Sequence, residues 1–219
     1  MRSLGKPRQI YAQVTNQRNQ MQGRGTKRSQ LETNSFSTFN LSREALDVIC
    51  YIQEEFQKPV WLLGLHGLYC RGVPYHRTAE DITIYSPITK PERSELDDYL
   101  RNKYSKIVGR RSDRGTTYSF PHSCLLIVNR VDVYIETYCS SSPESLEQNR
   151  VEIAKGVYVQ VPQVEDLVIM KLMTGRTKDL RDIRHALRTT RSRIDMNNLE
   201  SRAREVGADS KLKRIQRIA

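Results

Sequence analysis

From Ser42 onward, apolar positions recur with the periods of regular structure. Ala45, Ile49, Ile52 and Phe56 are spaced 4, 3 and 4, one face of an amphipathic helix that Ser42 caps and Pro59 stops. Val60–Leu63 is a short apolar run that predicts a buried strand, broken at Gly64-Leu-His-Gly67 and followed by a short helix through Leu68, Tyr69 and Cys70. Ile82, Ile84 and Tyr85 predict a second strand after Asp81, and Pro91 with Glu92 and Glu95 opens a helix whose inner face is Leu96, Tyr99 and Leu100. Strands are expected near 107–108, 116–120, 124–128 and 131–138, the last two joined as a hairpin at Asn129-Arg130. A second hairpin, Val151–Ile153 with Val157–Val161, turns at Ala154-Lys-Gly156. After Pro162 the period becomes helical: Leu167, Met170 and Leu172 face inward, Gly175 breaks the helix, Thr177 caps another reaching Leu187, Asp195 a third ending at Gly207, and a basic helix runs from Ser210 to Ile218. Regular strand–helix alternation fails after residue 105, so the pattern predicts an α+β fold: a mixed sheet flanked by helices, with a helical C-terminal part.

Residues 1–36 lack this periodicity. They hold nine Gln/Asn, seven Lys/Arg and one acid, Glu32, and read as a basic tail that is disordered or ordered by a partner. The expected organisation is therefore a tail at 1–36, an α/β core at 37–162 and a helical part at 163–219. The overall charge of +11 on 219 residues is unevenly placed. The tail carries a net +6, residues 184–219 another +6, and the stretch between them −1. Basic ends suggest a polyanionic partner, RNA ahead of DNA or membrane, against the plain alternative of solvated ends. No apolar run approaches the ~18 residues of a membrane span. Four cysteines without a CxxC pair read as reduced thiols of a cytoplasmic protein.

Two blocks carry candidate chemistry. In the first, the strand ending near Leu63 meets a glycine turn, and His76 and Arg77 precede Asp81 on the next strand. Asp81 and Thr83 lie two apart on that strand and so share a face. In the second, Lys171 is followed by Arg176, Lys178, Asp179 and Asp182. Together these blocks resemble the nucleotidyltransferase fold of minimal nucleotidyltransferases and AbiEii-type proteins. Those families place a Gly-Gly or Gly-Ser turn before Arg-x-Thr-x-Asp-Ile-Asp, and a later helical Lys before Arg-x-Lys-Asp-x-x-Asp. Gly64, Gly72, Arg77, Asp81, Ile82 and Ile84 fall in register with the first motif, and Lys171, Arg176, Lys178, Asp179 and Asp182 with the second. The resemblance spans roughly residues 42–190.

The resemblance implies Mg²⁺ held by Asp81 and by Asp132 in Val131-Asp-Val-Tyr-Ile135, with Gly64, Arg77, Thr83 and Lys171 around a nucleoside triphosphate. Three departures fall in the reacting part: Thr83 stands where the second metal-binding Asp belongs, Ala79 where Thr is usual, and Leu65 at the second small position of the turn. A hydroxyl at 83 supplies no charge. Glu80 points to the opposite sheet face, and Glu136 lies about 13 Å beyond Asp132 along a strand, too far for the same ion. Bland readings stand beside these. Asp81 can cap a strand or pair with Arg77, Asp132 can be an exposed strand residue, Lys171 can be a snorkelling surface lysine, and Asp179 and Asp182 can pair with Arg176 and Arg181. The four histidines have no metal-ligand spacing. Two functions follow: a nucleotidyltransferase-fold protein of lost or altered transfer activity that binds RNA or a nucleoprotein through its basic ends, and an active Mg²⁺-dependent enzyme moving a nucleoside monophosphate from NTP onto RNA or a protein hydroxyl. A protein partner is a third candidate.

Overall fold

The structure, a computed structural model, describes residues 41–104, 107–112, 115–120, 125–129 and 149–218. Helix α1 (Arg43–Glu55) starts where the Ser42 hydroxyl accepts the Ala45 amide, and it buries Ala45, Val48, Ile49 and Ile52. Strand β1 (Trp61–Leu62), the short α2 (Gly64–Cys70) and β2 (Asp81–Tyr85) follow. Helix α3 (Lys90–Lys103) opens on a reciprocal cap in which Thr89 accepts the Glu92 amide while the Glu92 carboxylate accepts the Thr89 amide. Then come β3 (Val108–Ser112), β4 (Gly115–Ser119), β5 (Leu125–Asn129), β6 (Arg150–Ala154) and β7 (Val157–Gln160). Four helices end the chain: α4 (Val164–Thr174), α5 (Thr177–Thr189), α6 (Met196–Glu205) and α7 (Asp209–Gln216). Asp195 caps α6 as the sequence predicts, whereas the N-cap position of α5 is Arg176 and Thr177 is its first helical residue.

The seven described strands form one sheet in the order β3-β4-β5-β2-β1-β7-β6. It is mixed: β2 runs parallel to β5 and β1 parallel to β7, with the other neighbours antiparallel. The fold is thus α+β, a mixed sheet flanked by helices, as expected. The predicted strand at 131–138 and its hairpin lie outside the described residues.

Register fixes what each sheet face carries. Ile82 pairs with Leu126, and Leu126 with Tyr118, so the three share a face. The Tyr118 hydroxyl donates to Asp97 of α3 at 2.6 Å, which identifies this as the side covered by α3; α1 joins it there through the stacked rings of Tyr51 and Tyr99. Asp81 and Thr83 alternate with Ile82 and therefore point to the other side, where α2 and α5 lie. Helix α2 comes very close to the sheet. A Cβ on Gly67 would lie 2.8 Å from the Leu62 carbonyl oxygen and 3.1 Å from Leu167 of α4, so only glycine fits there. Arg71, just past α2, ties this corner down by donating from Nε to the Pro162 carbonyl at 2.9 Å and from its terminal nitrogen to Asn149 Oδ1 at 2.7 Å. One apolar cluster runs from Leu41 to Ile215 and contains all four C-terminal helices.

Candidate active site

The turn between β1 and α2 puts Gly64 in the left-handed region at φ 65°, and its Cβ direction meets Thr83 Oγ1 at 3.5 Å. Gly64 and Thr83 are thus brought together, with Asp81 next along the same face. Leu65, the bulky departure in this turn, is itself buried. His66 of α2 is buried too; burial holds its imidazole below the ordinary value, against the opposing pull of the Asp81 carboxylate.

Asp81 does not meet Arg77. Its Oδ2 lies 3.3 Å from Lys178 Nζ at the start of α5, and the same ammonium lies 3.4 Å from Glu80 Oε2. Arg77 reaches instead to Asp182, donating from Nε and a terminal nitrogen to the two carboxylate oxygens, each at 2.8 Å. Lys171 is buried, which overturns the surface-lysine reading: its ammonium donates to Asp182 Oδ2 at 2.7 Å and Asp179 Oδ1 at 3.2 Å. Asp179 also accepts from Thr174 Oγ1 at 2.7 Å and Arg176 Nε at 2.6 Å. The expected Asp179–Arg176 pair is therefore present, while Asp182 pairs with Arg77 and Lys171 rather than with Arg181. His76 completes the cluster, with Nε2 3.1 Å from Asp182 Oδ1 and its ring stacked on His185 at 4.3 Å. Burial, then the neighbouring His185, lowers the His76 pKa, with Asp182 acting the other way.

Burial alone would push the Asp182 carboxyl up, but hydrogen bonds and charge from Arg77 and Lys171 outweigh it and hold the group below the usual carboxylate range. The same balance, won by Arg176, Thr174 and Lys171, lowers Asp179. Four cations (Lys171, Arg77, Arg176, Lys178) face four carboxylates (Asp179, Asp182, Asp81, Glu80). The block's charge is spent within the block.

Beside β2 the register sets Leu125 opposite Asp81 and Ile127 opposite Thr83. The β5 residues beside them are aliphatic, and Asp132, where the third metal-binding acid is expected, lies outside the described residues. Among the described residues, the donors Asp81 and Thr83 supply on this face are one carboxylate, already paired with an ammonium, and one hydroxyl. No group of three or more His, Cys, Asp or Glu suited to a metal occurs among the described residues. Without Asp132, these described donors alone do not make up a two-Mg²⁺ centre.

Sheet order and paired sequence blocks define a nucleotidyltransferase-like protein. The chain belongs to the family described as nucleotidyltransferase of unknown function (DUF6036), whose profile matches residues 76–217. That span holds both motif blocks from His76 on but not the Gly64 turn. No curated protein matches the chain. Among solved structures it is similar to the antibiotic-resistance factor ANT(2'')-Ia in solution, at 16% identity over 80% of this chain and 97% of that one with a TM-score of 0.49. A crystal structure of ANT(2'')-Ia with adenylyl-2''-tobramycin gives 15%, 80%, 98% and 0.48. JHP933 of Helicobacter pylori gives 15%, 77%, 76% and 0.42. Such distant likenesses carry no chemistry.

Sequence reasoning did not single out Lys178 as the partner of Asp81, or Gly67 as the point of closest packing. Lys178 had a signal, since the second motif contains it; Gly67 had none beyond its type. No described helix is long and apolar enough to cross a membrane.

Proposed function

We propose that the protein is a nucleotidyltransferase-fold module whose transfer activity is lost or altered and which binds RNA, alone or within a nucleoprotein, through its basic ends. One observation carries the reading. The Asp81 carboxylate faces the Lys178 ammonium, with Thr83 in place of a second acid on β2. Nucleotidyl transfer by this fold needs anions that gather Mg²⁺ and cations free to meet a triphosphate. Here Arg77 and Lys171 are engaged by Asp182, which favours a structural role for both.

The alternative is an active Mg²⁺-dependent enzyme that uses Asp81 and Asp132 on metal, with Gly64 and Thr83 at the nucleotide. It is supported by the partial exposure of Asp81 and by the closeness of Thr83 to the Gly64 turn. Incubating the full chain with each labelled NTP, Mg²⁺ and total RNA separates the two. The proposal expects no labelled product, together with RNA binding that survives Asp81→Ala. Labelling that disappears in Asp81→Ala overturns it in favour of the enzyme.

A further inference from the structure

Helix α5 is sharply two-sided. Asp179, Asp182, Ile183, Ala186 and Leu187 are buried, and the two aspartates are its only acids. The outward face carries Arg181, Arg184 and Arg188, spaced 3 and 4, with Arg181 and Arg188 exposed and Arg184 half-buried; Lys178, one turn earlier, is paired with Asp81 and Glu80. Helix α7 lies alongside and runs the same way. The Lys211 ammonium is 3.8 Å from the Cβ position of Gly175, just before α5, and Arg188 donates to the Ile218 carbonyl at 3.1 Å, just beyond α7. Lys211 and Arg214 add two exposed cations along this seam. Arg181, Arg184, Lys211 and Arg214 have no ion-pair partner among the described residues, whereas the nearby acid of α7, Asp209, is matched by Lys213 at 3.7 Å.

We infer that this α5–α7 face is a docking rail for the sugar-phosphate backbone of RNA. From Arg181 to Arg188 the cations extend about 10 Å along the helix, at about one per turn. One turn before Arg181, Lys178 touches Asp81, so a strand lying on the rail arrives at the candidate site. Charge complementarity names a polyanion, and two further features choose its kind. No Phe, Tyr or Trp lies on α5 or α7, so there is no stacking platform for bases and the contacts fall on phosphates, without regard to sequence. Helix α5 is also flanked by α4 and α7, with which it packs. Its cations thus lie on a surface shared by packed helices, and phosphate contacts across the broad, shallow groove of A-form RNA suit such a surface.

This inference rests on the RNA-binding reading of the protein and places it on particular residues. The test measures binding of the full-length chain to a labelled RNA duplex by fluorescence anisotropy across a salt series, for wild type, Arg181→Ala/Arg188→Ala, Arg181→Lys/Arg188→Lys, and Lys90→Ala/Arg101→Ala on the far side of the sheet. Each phosphate contact contributes about −0.9 to the slope of log affinity against log salt, so the α5 alanine pair is expected to flatten the slope by about 1.8 and weaken binding about tenfold. The lysine pair is expected to restore the slope and the far-side pair to match wild type. Wild-type binding that the α5 alanine pair leaves unchanged overturns the rail and leaves RNA binding to other basic residues. Equal or tighter binding of a DNA duplex of the same sequence overturns the choice of RNA. Absence of salt-dependent RNA binding by wild type overturns the functional reading itself, and the rail with it.

Discussion

Asp182 offers a quantitative handle on the charge cluster. Its carboxylate is fully buried and lies within hydrogen-bonding distance of Arg77 (2.8 Å twice), Lys171 (2.7 Å) and His76 (3.1 Å). Asp182→Asn keeps the shape and removes the charge, leaving the Lys171 ammonium buried with Asp179 alone. Breaking a buried pair from one side costs about 3–5 kcal/mol. At about 2–4 °C per kcal/mol for a domain of this size, the midpoint of unfolding is expected to fall by about 6–20 °C. Asp81→Asn is the comparison: its ion pair with Lys178 is partly exposed, and its loss is expected to cost about 1 kcal/mol or less.

The effect of Asp182→Asn is pH-dependent with a definite sign. The folded-state pKa of Asp182 lies below its unfolded value, so its contribution is complete above the ordinary carboxylate range and lost as the pH falls through the lowered value. Thermal unfolding followed by circular dichroism from about pH 7 down to about pH 3 therefore shows the gap between wild type and Asp182→Asn closing at the acid end. A loss below about 1 kcal/mol near neutrality, or a gap that stays constant into acid, refutes the reading of this cluster as a buried ionic lock.

Glycine substitutions test the packing of α2. Gly64→Ala meets only ordinary contacts and is expected to cost about 1–2 kcal/mol for its left-handed backbone, whereas Gly67→Ala, facing the Leu62 carbonyl at 2.8 Å, is expected to cost more; urea titration ranks them. Thr89→Ala removes the side-chain half of the α3 cap and is expected to lower stability by about 0.5–2 kcal/mol in the same assay. Thr83→Asp restores a second carboxylate beside Asp81, and millimolar Mg²⁺ is expected to raise its unfolding midpoint while leaving wild type unmoved; a variant without that response contradicts the assignment of Thr83 as the missing charge.

Most elements were legible because their periodicity is local. The Thr89, Pro91 and Glu92 start of α3 and the Ala154-Lys-Gly156 hairpin appear where the pattern places them. Sheet order was not, since β1 pairs with β7 about a hundred residues away, and no local pattern encodes that parallel contact. Both motif blocks converge as their resemblance implies, but the pairing inside them differs from the guess made by proximity in sequence. Arg77 bypasses nearby Asp81 for Asp182, and Lys178 takes Asp81. Lys171 misled for a physical reason: α4 is buried nearly all round, so its periodicity marks no solvent face onto which a lysine could be assigned. Burying that ammonium requires carboxylates, and the needed pair lies one helix later.

With Asp81, Arg77 and Lys171 committed to ion pairs, the protein is not expected to gather a metal-bound triphosphate. Calorimetric titration of each Mg²⁺–NTP into the full-length chain tests this. The expected result is no saturable, Mg²⁺-dependent binding. Saturable binding that requires Mg²⁺ and vanishes in Asp81→Ala contradicts it.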